Sequence, residues 1–323
     1  MSHNFRKLSL ALGLTLAAAL AAAQGYPDRA VRLLVTSNTG ASGDFIARLV
    51  ADRLSKSLGQ PVVVENRAGA GGVLAVRMLL GAVPDGHTLM MFISDNVVIA
   101  PYLLKIPAFD PLKDLSYVGT IARSVSFILA VNPSVPVHSF AEYVSLAKQA
   151  PKKVSFSTYG LGSVPQLSFE MMAAQAGIEL LHVPYKGGAE SYRAAVAGDV
   201  DSVAGTSFTD LLKAGRLRPI AIGASKRSPE FPQVPTFAEL GYGDQIFGPV
   251  FYGMAAPAGT PREIVNRLTA ELKALAQMPD IAQRLRTVGT EPFSTGPEEL
   301  VNMVRTHSDR YAPLIRKLGL NTQ

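Results

Sequence analysis

Two glycine-rich loops are the segments of this chain best suited to hold a ligand. Thr39-Gly40-Ala41-Ser42-Gly43-Asp44 follows the β-branched run Val31–Val35, and Tyr159-Gly160-Leu161-Gly162-Ser163 follows Val154–Thr158. Each stands between a strand pattern and a helix pattern. Small residues there let the backbone approach a bound group closely, and the N–H groups of a helix start favour an anion. The carboxyl ends of strands are where open α/β sheets take their ligands. Loops of this kind also serve as plain tight turns, so the residues alone leave both readings open.

Other constellations are weaker. Glu65-Asn66-Arg67-Ala68-Gly69-Ala70-Gly71-Gly72 has the look of a phosphate loop but neither of its signatures. The third dinucleotide-binding glycine would fall at Leu74, and no Gly-Lys-Ser/Thr follows. It reads as a strand-to-helix turn with a solvated Arg67. The five histidines, His3, His87, His138, His182 and His307, form no His-Glu-x-x-His and no close ligand pair. Cysteine is absent, which excludes thiol catalysis, disulfides and Cys-ligated zinc. Ser163 and Ser207 lack a Gly-x-Ser-x-Gly elbow. His182 reads as a packed, hydrogen-bonded side chain. No metal and no cofactor is expected, and no catalytic residue is assigned.

The elements that must position the loops alternate. Val31–Val35, Pro61–Val64 and Leu89–Ile93 read as strands. Between them lie an amphipathic helix carrying Phe45, Ile46, Leu49, Val50, Leu54 and Leu58, stopped by Gly59, and a shorter helix from Val73 to Leu80. The order argues a parallel sheet covered by helices. The pattern then restarts: strand Ile128–Val131, a capping box at Ser139-Phe140-Ala141-Glu142, strand Val154–Tyr159, helix Gln166–Ala176, strand Leu180–Tyr185, helix Ala189–Ala197 and strand Pro219–Ile222. The remainder reads as mostly helical, opening at Thr260-Pro261-Arg262-Glu263 with Thr260 as the cap, and continuing over about Asp280–Val288 and Pro297–Leu318. Without strands of their own, these helices are expected to pack on one of the two sheets. The chain then passes between lobes near Ala122–Phe127 and near Val250–Met254.

The 323 residues carry 17% charged and 48% hydrophobic side chains, enough apolar material for a large core. Arg6 and Lys7, the uncharged run Leu8–Ala23 and the small residues Ala21-Ala22-Ala23 form the pattern of a secretory signal peptide cleaved before Gln24. The formal charge of +6 loses those two cations with the leader. The basic stretch Lys213, Arg216, Arg218, Lys226, Arg227 lacks interleaved aromatics and reads as solvated surface, so no nucleic-acid partner is expected.

Runs spread in order over the whole mature chain resemble one family. They are Tyr26-Pro27-Asp28-Arg29-Ala30-Val31-Arg32-Leu33-Leu34-Val35, Gly59 through Gly72, Pro84-Asp85-Gly86-His87-Thr88-Leu89, His182-Val183-Pro184-Tyr185-Lys186-Gly187, Lys213-Ala214-Gly215-Arg216-Leu217-Arg218 and Pro257-Ala258-Gly259-Thr260-Pro261. The chain resembles the Bug receptors, the extracytoplasmic solute-binding proteins of tripartite tricarboxylate transporters. The resemblance implies a type II periplasmic-binding-protein, or Venus-flytrap, fold of two α/β lobes. Residues 24–123 and 252–323 would form lobe one, and residues 124–251 lobe two. It implies a small carboxylate in the cleft, di- or tricarboxylic or aromatic, held by N–H groups of Thr39, Gly40, Ala41, Ser42, Gly43 and Asp44 and of Tyr159, Gly160, Leu161, Gly162 and Ser163. Ser94, Asp95, Asn96 and Gln166 would add polar groups, and Tyr185, Lys186, Gly187, Thr206, Ser207 and Phe208 would close the far side.

Two departures from the family pattern bear on the ligand. The first loop commonly reads Pro-Gly-Gly-x-x-Asp; here Ala41 replaces a glycine and Asp44 is kept. A frequent Phe-Asp is Ala204-Gly205, which argues against an amino-acid ligand. Aromatics beside the loops (Phe45, Phe92, Tyr159, Phe208) and near a crossing (Phe247, Phe251) point to an aromatic or elongated acid. The expectation is therefore a periplasmic, monomeric binding protein that delivers its ligand to integral membrane permease subunits. A receptor that docks on a sensor kinase uses the same fold, and a secreted hydrolase using the cleft is the further alternative.

Overall fold

The computed structural model describes residues 25–103, 109–206, 208–242, 246 and 250–320. The expected leader, Ser207 and Phe247 lie outside the described residues. Two sheets organise the molecule. In the first, β1 (Val31–Val35) pairs in parallel with β2 (Val62–Asn66) and β3 (Thr88–Ile93). β1 is buried at every position except Arg32, the pattern of a strand covered on both faces. Arg32 instead meets Glu65 at the edge, Nε to Oε1 at 2.8 Å. Helix α1 (Ser42–Leu58) buries Ile46, Leu49, Val50 and Leu54 and ends at Gly59 in the left-handed region, as a helix stop of this kind requires. Helix α2 (Val73–Leu80) follows β2, and α3 (Ser94–Val98) and α4 (Ala100–Leu103) follow β3.

The first sheet is larger than the sequence suggests. β4 (Leu115–Ser124) joins it before the chain passes to the second sheet through Val125 and Ser126, where β5 (Phe127–Val131) begins. In the second sheet, β5 lies antiparallel to β8 (Ser202–Gly205) and β9 (Arg218–Gly223), while β6 (Ser155–Thr158) lies parallel to β7 (Leu181–Pro184) and β8. Its helices are α5 (Phe140–Gln149), α6 (Val164–Ala176), α7 (Gly188–Ala197) and α8 (Thr209–Lys213). β5 alternates: Phe127, Leu129 and Val131 join the main core, and Ile128 and Ala130 join a second cluster on the other face. That is the two-residue period of a strand in a sheet buried on both sides.

The third stretch is mostly helical, as expected, but it corrects the expectation that it carries no strands of its own. β10 (Phe251–Pro257) is wholly buried and inserts antiparallel between β3 and β4, and β11 (Thr290–Pro292) pairs with the outer edge of β4. The sheet orders are β11-β4-β10-β3-β1-β2 and β7-β6-β8-β5-β9. Helices α9 (Arg262–Ala276), α10 (Pro279–Arg286) and α11 (Pro297–Lys317) complete the chain; α9 and α11 pack against β4. Thr260 does not cap α9. Its hydroxyl donates to the Pro257 carbonyl at 2.8 Å, and Pro261 stands at the cap position. Half of the capping box at Ser139 forms: the Ser139 hydroxyl accepts from the Glu142 N–H. The Glu142 carboxylate reaches one residue further back, to the His138 N–H at 2.7 Å.

Candidate functional site

The first glycine loop lies at the carboxyl end of β1, which stands between β3 and the edge strand β2. Thr39 and Gly40 are exposed and Asp44 is buried. The Asp44 carboxylate faces inward. It accepts from the Gly40 N–H at 2.9 Å, from Asn66 Nδ2 at 2.9 Å and from Arg48 Nε. Burial alone would raise its pKa; those hydrogen bonds, with the Arg48 charge, outweigh burial and hold it below the usual carboxylate range. Asp44 therefore shapes the loop from behind. Above it, the N–H groups of Ser42, Gly43 and Asp44 open helix α1 and have no acceptor among the described residues, as expected of a first turn. The Ser42 hydroxyl is hydrogen-bonded to Tyr252, a buried phenol on β10.

The second loop is built differently. Thr158 Oγ1 accepts from the Gly160 N–H at 3.3 Å, and Gln166 Oε1 accepts from the Gly162 N–H at 2.7 Å. The Ser163 hydroxyl donates to the Gly160 carbonyl at 2.8 Å and caps α6 by accepting from the Gln166 N–H. Pro165 has no N–H to offer. The Val164 N–H donates to Asp95 Oδ2 at 2.9 Å, and the Tyr159 hydroxyl donates to the same oxygen at 2.8 Å. Asp95 belongs to α3 and the first sheet's half, whereas Tyr159 and Val164 belong to the second. Ser94 Oγ donates to the other carboxylate oxygen at 3.2 Å. Burial pushes the Asp95 pKa up and prevails over these donors. Leu161 and Ser163 keep N–H groups without an acceptor among the described residues.

The remaining expected residues divide. Asn96 turns back into its own half: its Nδ2 donates to the Gly71 carbonyl at 2.7 Å, and its Oδ1 accepts from the Ile93 N–H at 2.9 Å. It clamps the Glu65–Gly72 turn onto α3. Tyr185 is half-buried and its N–H continues the β6 ladder to the Thr158 carbonyl; Lys186 is exposed; Gly187 precedes α7. Phe208 is buried, with its ring 4.8 Å from that of Tyr192, and Thr206 is half-buried beside it.

Three residues that local patterns do not single out complete the region. Tyr192 on α7 lays its hydroxyl over Gly205, where a Cβ would fall 2.2 Å from the phenol oxygen. The position of the departure noted in the sequence is thus covered by a phenol. Tyr252 sits on a strand that the sequence does not reveal. Leu103 on α4 packs against Gly162, whose added Cβ would come within 2.0 Å of Leu103 Cδ1. Tyr159, Tyr192, Tyr252 and Asp95 lie close enough to act on one another electrostatically, and burial raises the Tyr159 and Tyr252 phenols well above their ordinary range. At neutral pH these phenols are neutral donors. Among the described residues, the arrangement offers one helix start with open N–H groups, a second loop in which only the Leu161 and Ser163 N–H groups stay open, and the phenols of Tyr159, Tyr192 and Tyr252 grouped near Asp95.

A family model described as "Tripartite tricarboxylate transporter family receptor" matches residues 46–320. A UPF0065 protein of Cupriavidus necator, from the gbd 5′ region, is 37% identical over 96% of this chain and 94% of its own length. Two solved structures from Rhodopseudomonas palustris are similar along most of the chain. Rpa4515 with adipate gives a TM-score of 0.82 at 32% identity, covering 91% of this chain and 98% of that one. MatC with bound malate gives 0.80 at 29% identity, covering 90% and 100%.

Proposed function

This chain belongs to the tripartite tricarboxylate transporter receptor family, and on that premise we propose a route by which it captures its ligand. The fold is the two-lobed flytrap of solute-binding receptors, and a small carboxylate is the ligand class. The ligand carboxylate rests on the first turn of α1. The observation that carries this reading is the set of N–H groups at Ser42, Gly43 and Asp44, which lack an acceptor among the described residues and stand on a loop braced by Asp44 and Tyr252. Oriented backbone donors at a helix start bind an anion without the desolvation cost of a buried lysine. The adipate and malate held by the two similar structures support the same class.

The lobes divide at the two passages between sheets, residues 24–123 with 252–323 against 124–251, and close on the ligand as they rotate about those passages. The second loop and the phenols at Tyr159, Tyr192 and Tyr252 then cover the ligand. The protein binds without catalysis. It works as a monomer in the periplasm, reached through a leader over residues 1–23, and presents its closed face to the permease.

Melting measured against a panel of carboxylates tests this. The protein is first unfolded and refolded to release any retained acid. A true ligand should raise stability by about 2.7 kcal/mol at one hundred times its Kd and about 4.1 kcal/mol at a thousand times. Melting that stays flat for aliphatic, tricarboxylic and aromatic acids alike would overturn the proposal.

A further inference from the structure

Asp95 ties the two halves of the molecule together. It stands on α3, in the first half, and its Oδ2 accepts from two groups of the second: the Val164 N–H at 2.9 Å and the Tyr159 hydroxyl at 2.8 Å. Its other oxygen meets the Ser94 hydroxyl at 3.2 Å. The side chain is buried, and the groups bonded to it are neutral: an amide and two hydroxyls, with no Lys, Arg or His among them. A charged carboxylate buried without a cation is costly, whereas a neutral carboxyl with the same hydrogen bonds is not.

On the reading above that the lobes rotate about the two passages, we infer that Asp95 is a positioning residue that latches lobe two onto lobe one, and that closing the latch draws one proton from the medium onto its carboxyl. The geometry accommodates the proton. With Oδ1 protonated, Oδ2 still accepts from Val164 and Tyr159, and the Ser94 hydroxyl turns from donor to acceptor. Opening removes both lobe-two donors and returns the group to water, where a carboxyl ionises in its ordinary range. In the closed form burial pushes the Asp95 pKa up. The closed form therefore keeps the proton at pH values where the open form has lost it. Closure gains on opening as pH falls through that interval, by at most about tenfold per pH unit for one proton, and loses as pH rises through it. The titratable groups facing Asp95 are phenols: Tyr159 from the second loop, Tyr252 from β10 and Tyr311 from α11, with Tyr192 of α7 acting on the first two. Glu170, the charged side chain of α6, is shifted by burial alone. On α11, Arg310 lies over the Tyr311 ring at 5.3 Å, and His307 stacks beside Phe251 and Tyr311.

Small-angle scattering by the ligand-free mature chain, stripped by unfolding and refolding, from about pH 8 to about pH 5 tests the inference. The wild type should contract as pH falls. Asp95→Asn cannot ionise but keeps an oxygen for Val164 and Tyr159, and it should stay contracted throughout. Asp95→Leu loses that acceptor and should stay expanded throughout; either variant serves if the other fails to fold. A contraction with pH that a variant repeats would assign the proton to another group, His307 first, and overturn the role of Asp95. A wild type that contracts on adding adipate or malate but not with pH would overturn the latch and keep the rotation of the lobes. One that contracts with neither would sink the rotation, and the latch with it. Contraction with pH in the wild type alone supports the latch even if no carboxylate shifts melting, an outcome that would sink only the carboxylate reading.

Discussion

His182 shows what a lone histidine in a strand does here. Its ring stacks on Phe156 with centroids 4.8 Å apart, and Nε2 shares a hydrogen bond with Thr158 Oγ1 at 2.8 Å. Burial lowers its pKa to about 4. The folded state thus holds a neutral imidazole between pH 6.5 and 4, while the unfolded chain takes up a proton. Stability from this group is complete above pH 6.5 and is lost progressively as pH falls toward 4. His182→Gln should flatten that part of the stability-versus-pH curve, measured by urea unfolding at a series of pH values. A wild-type curve with the same slope as the variant would show that the ring is not protonated on unfolding in this window. The sequence conveys the packed role of His182 because a strand pattern surrounds it. It does not convey Tyr192, Tyr252 or Leu103, whose roles exist only where α7, β10 and α4 meet the loops. The sole local trace is negative: Gly205 marks a position where a side chain is missing and a phenol from another element fills the space.

At the scale of elements, the sequence reveals β1, β2, β3, β5, β6, β7 and β9, and the helices with clear stops such as Gly59. β4 and β10 escape notice because glycine interrupts each. Gly119 on β4 brings its backbone so near the Thr295 carbonyl that a Cβ would sit 2.4 Å from that oxygen, and Gly253 on β10 makes room for the Phe92 ring, 2.7 Å from a Cβ. Glycine in a strand lowers its propensity yet permits such close approach, so packing overrides the local signal. The turn between β6 and α6 follows the same rule and carries a prediction. Gly162 has φ +68°, and an added Cβ would overlap Leu103 from the opposite lobe. Gly162→Ala should therefore hold the lobes apart and weaken ligand binding tenfold or more. Leu103→Ala in the same chain should recover part of the loss, the remainder being backbone strain at positive φ. Affinities of the single and double variants measured by calorimetry check this. A double variant no better than Gly162→Ala would mean that strain alone is responsible and that Leu103 does not limit closure.

For the whole molecule, the decisive feature is that the two passages between sheets are tied to each other. The Ser124 N–H donates to the Val250 carbonyl at 2.7 Å, and the Val250 N–H donates back to Ser124 Oγ at 2.9 Å. Both residues are buried, so every relative movement of the halves acts on this pair. The Val125 N–H reaches the Gly289 carbonyl at 3.3 Å, and Arg123 pairs with Glu291 at 2.8 Å, which anchors the first passage to β11 as well. Ser124→Ala removes the acceptor for the Val250 N–H and leaves a buried donor unpaired, at a cost of about 1–3 kcal/mol. If the lobes rotate here, the loss should be local before it is global. Hydrogen exchange at Val250 should quicken by an order of magnitude or more, while amides in the middle of β10, such as Met254, keep their protection. A saturating ligand should restore slow exchange at Val250 in the variant by holding the closed form. Exchange that quickens equally at Val250 and Met254 would instead report loss of stability throughout the first sheet, and the passages would then not be the place where the molecule bends.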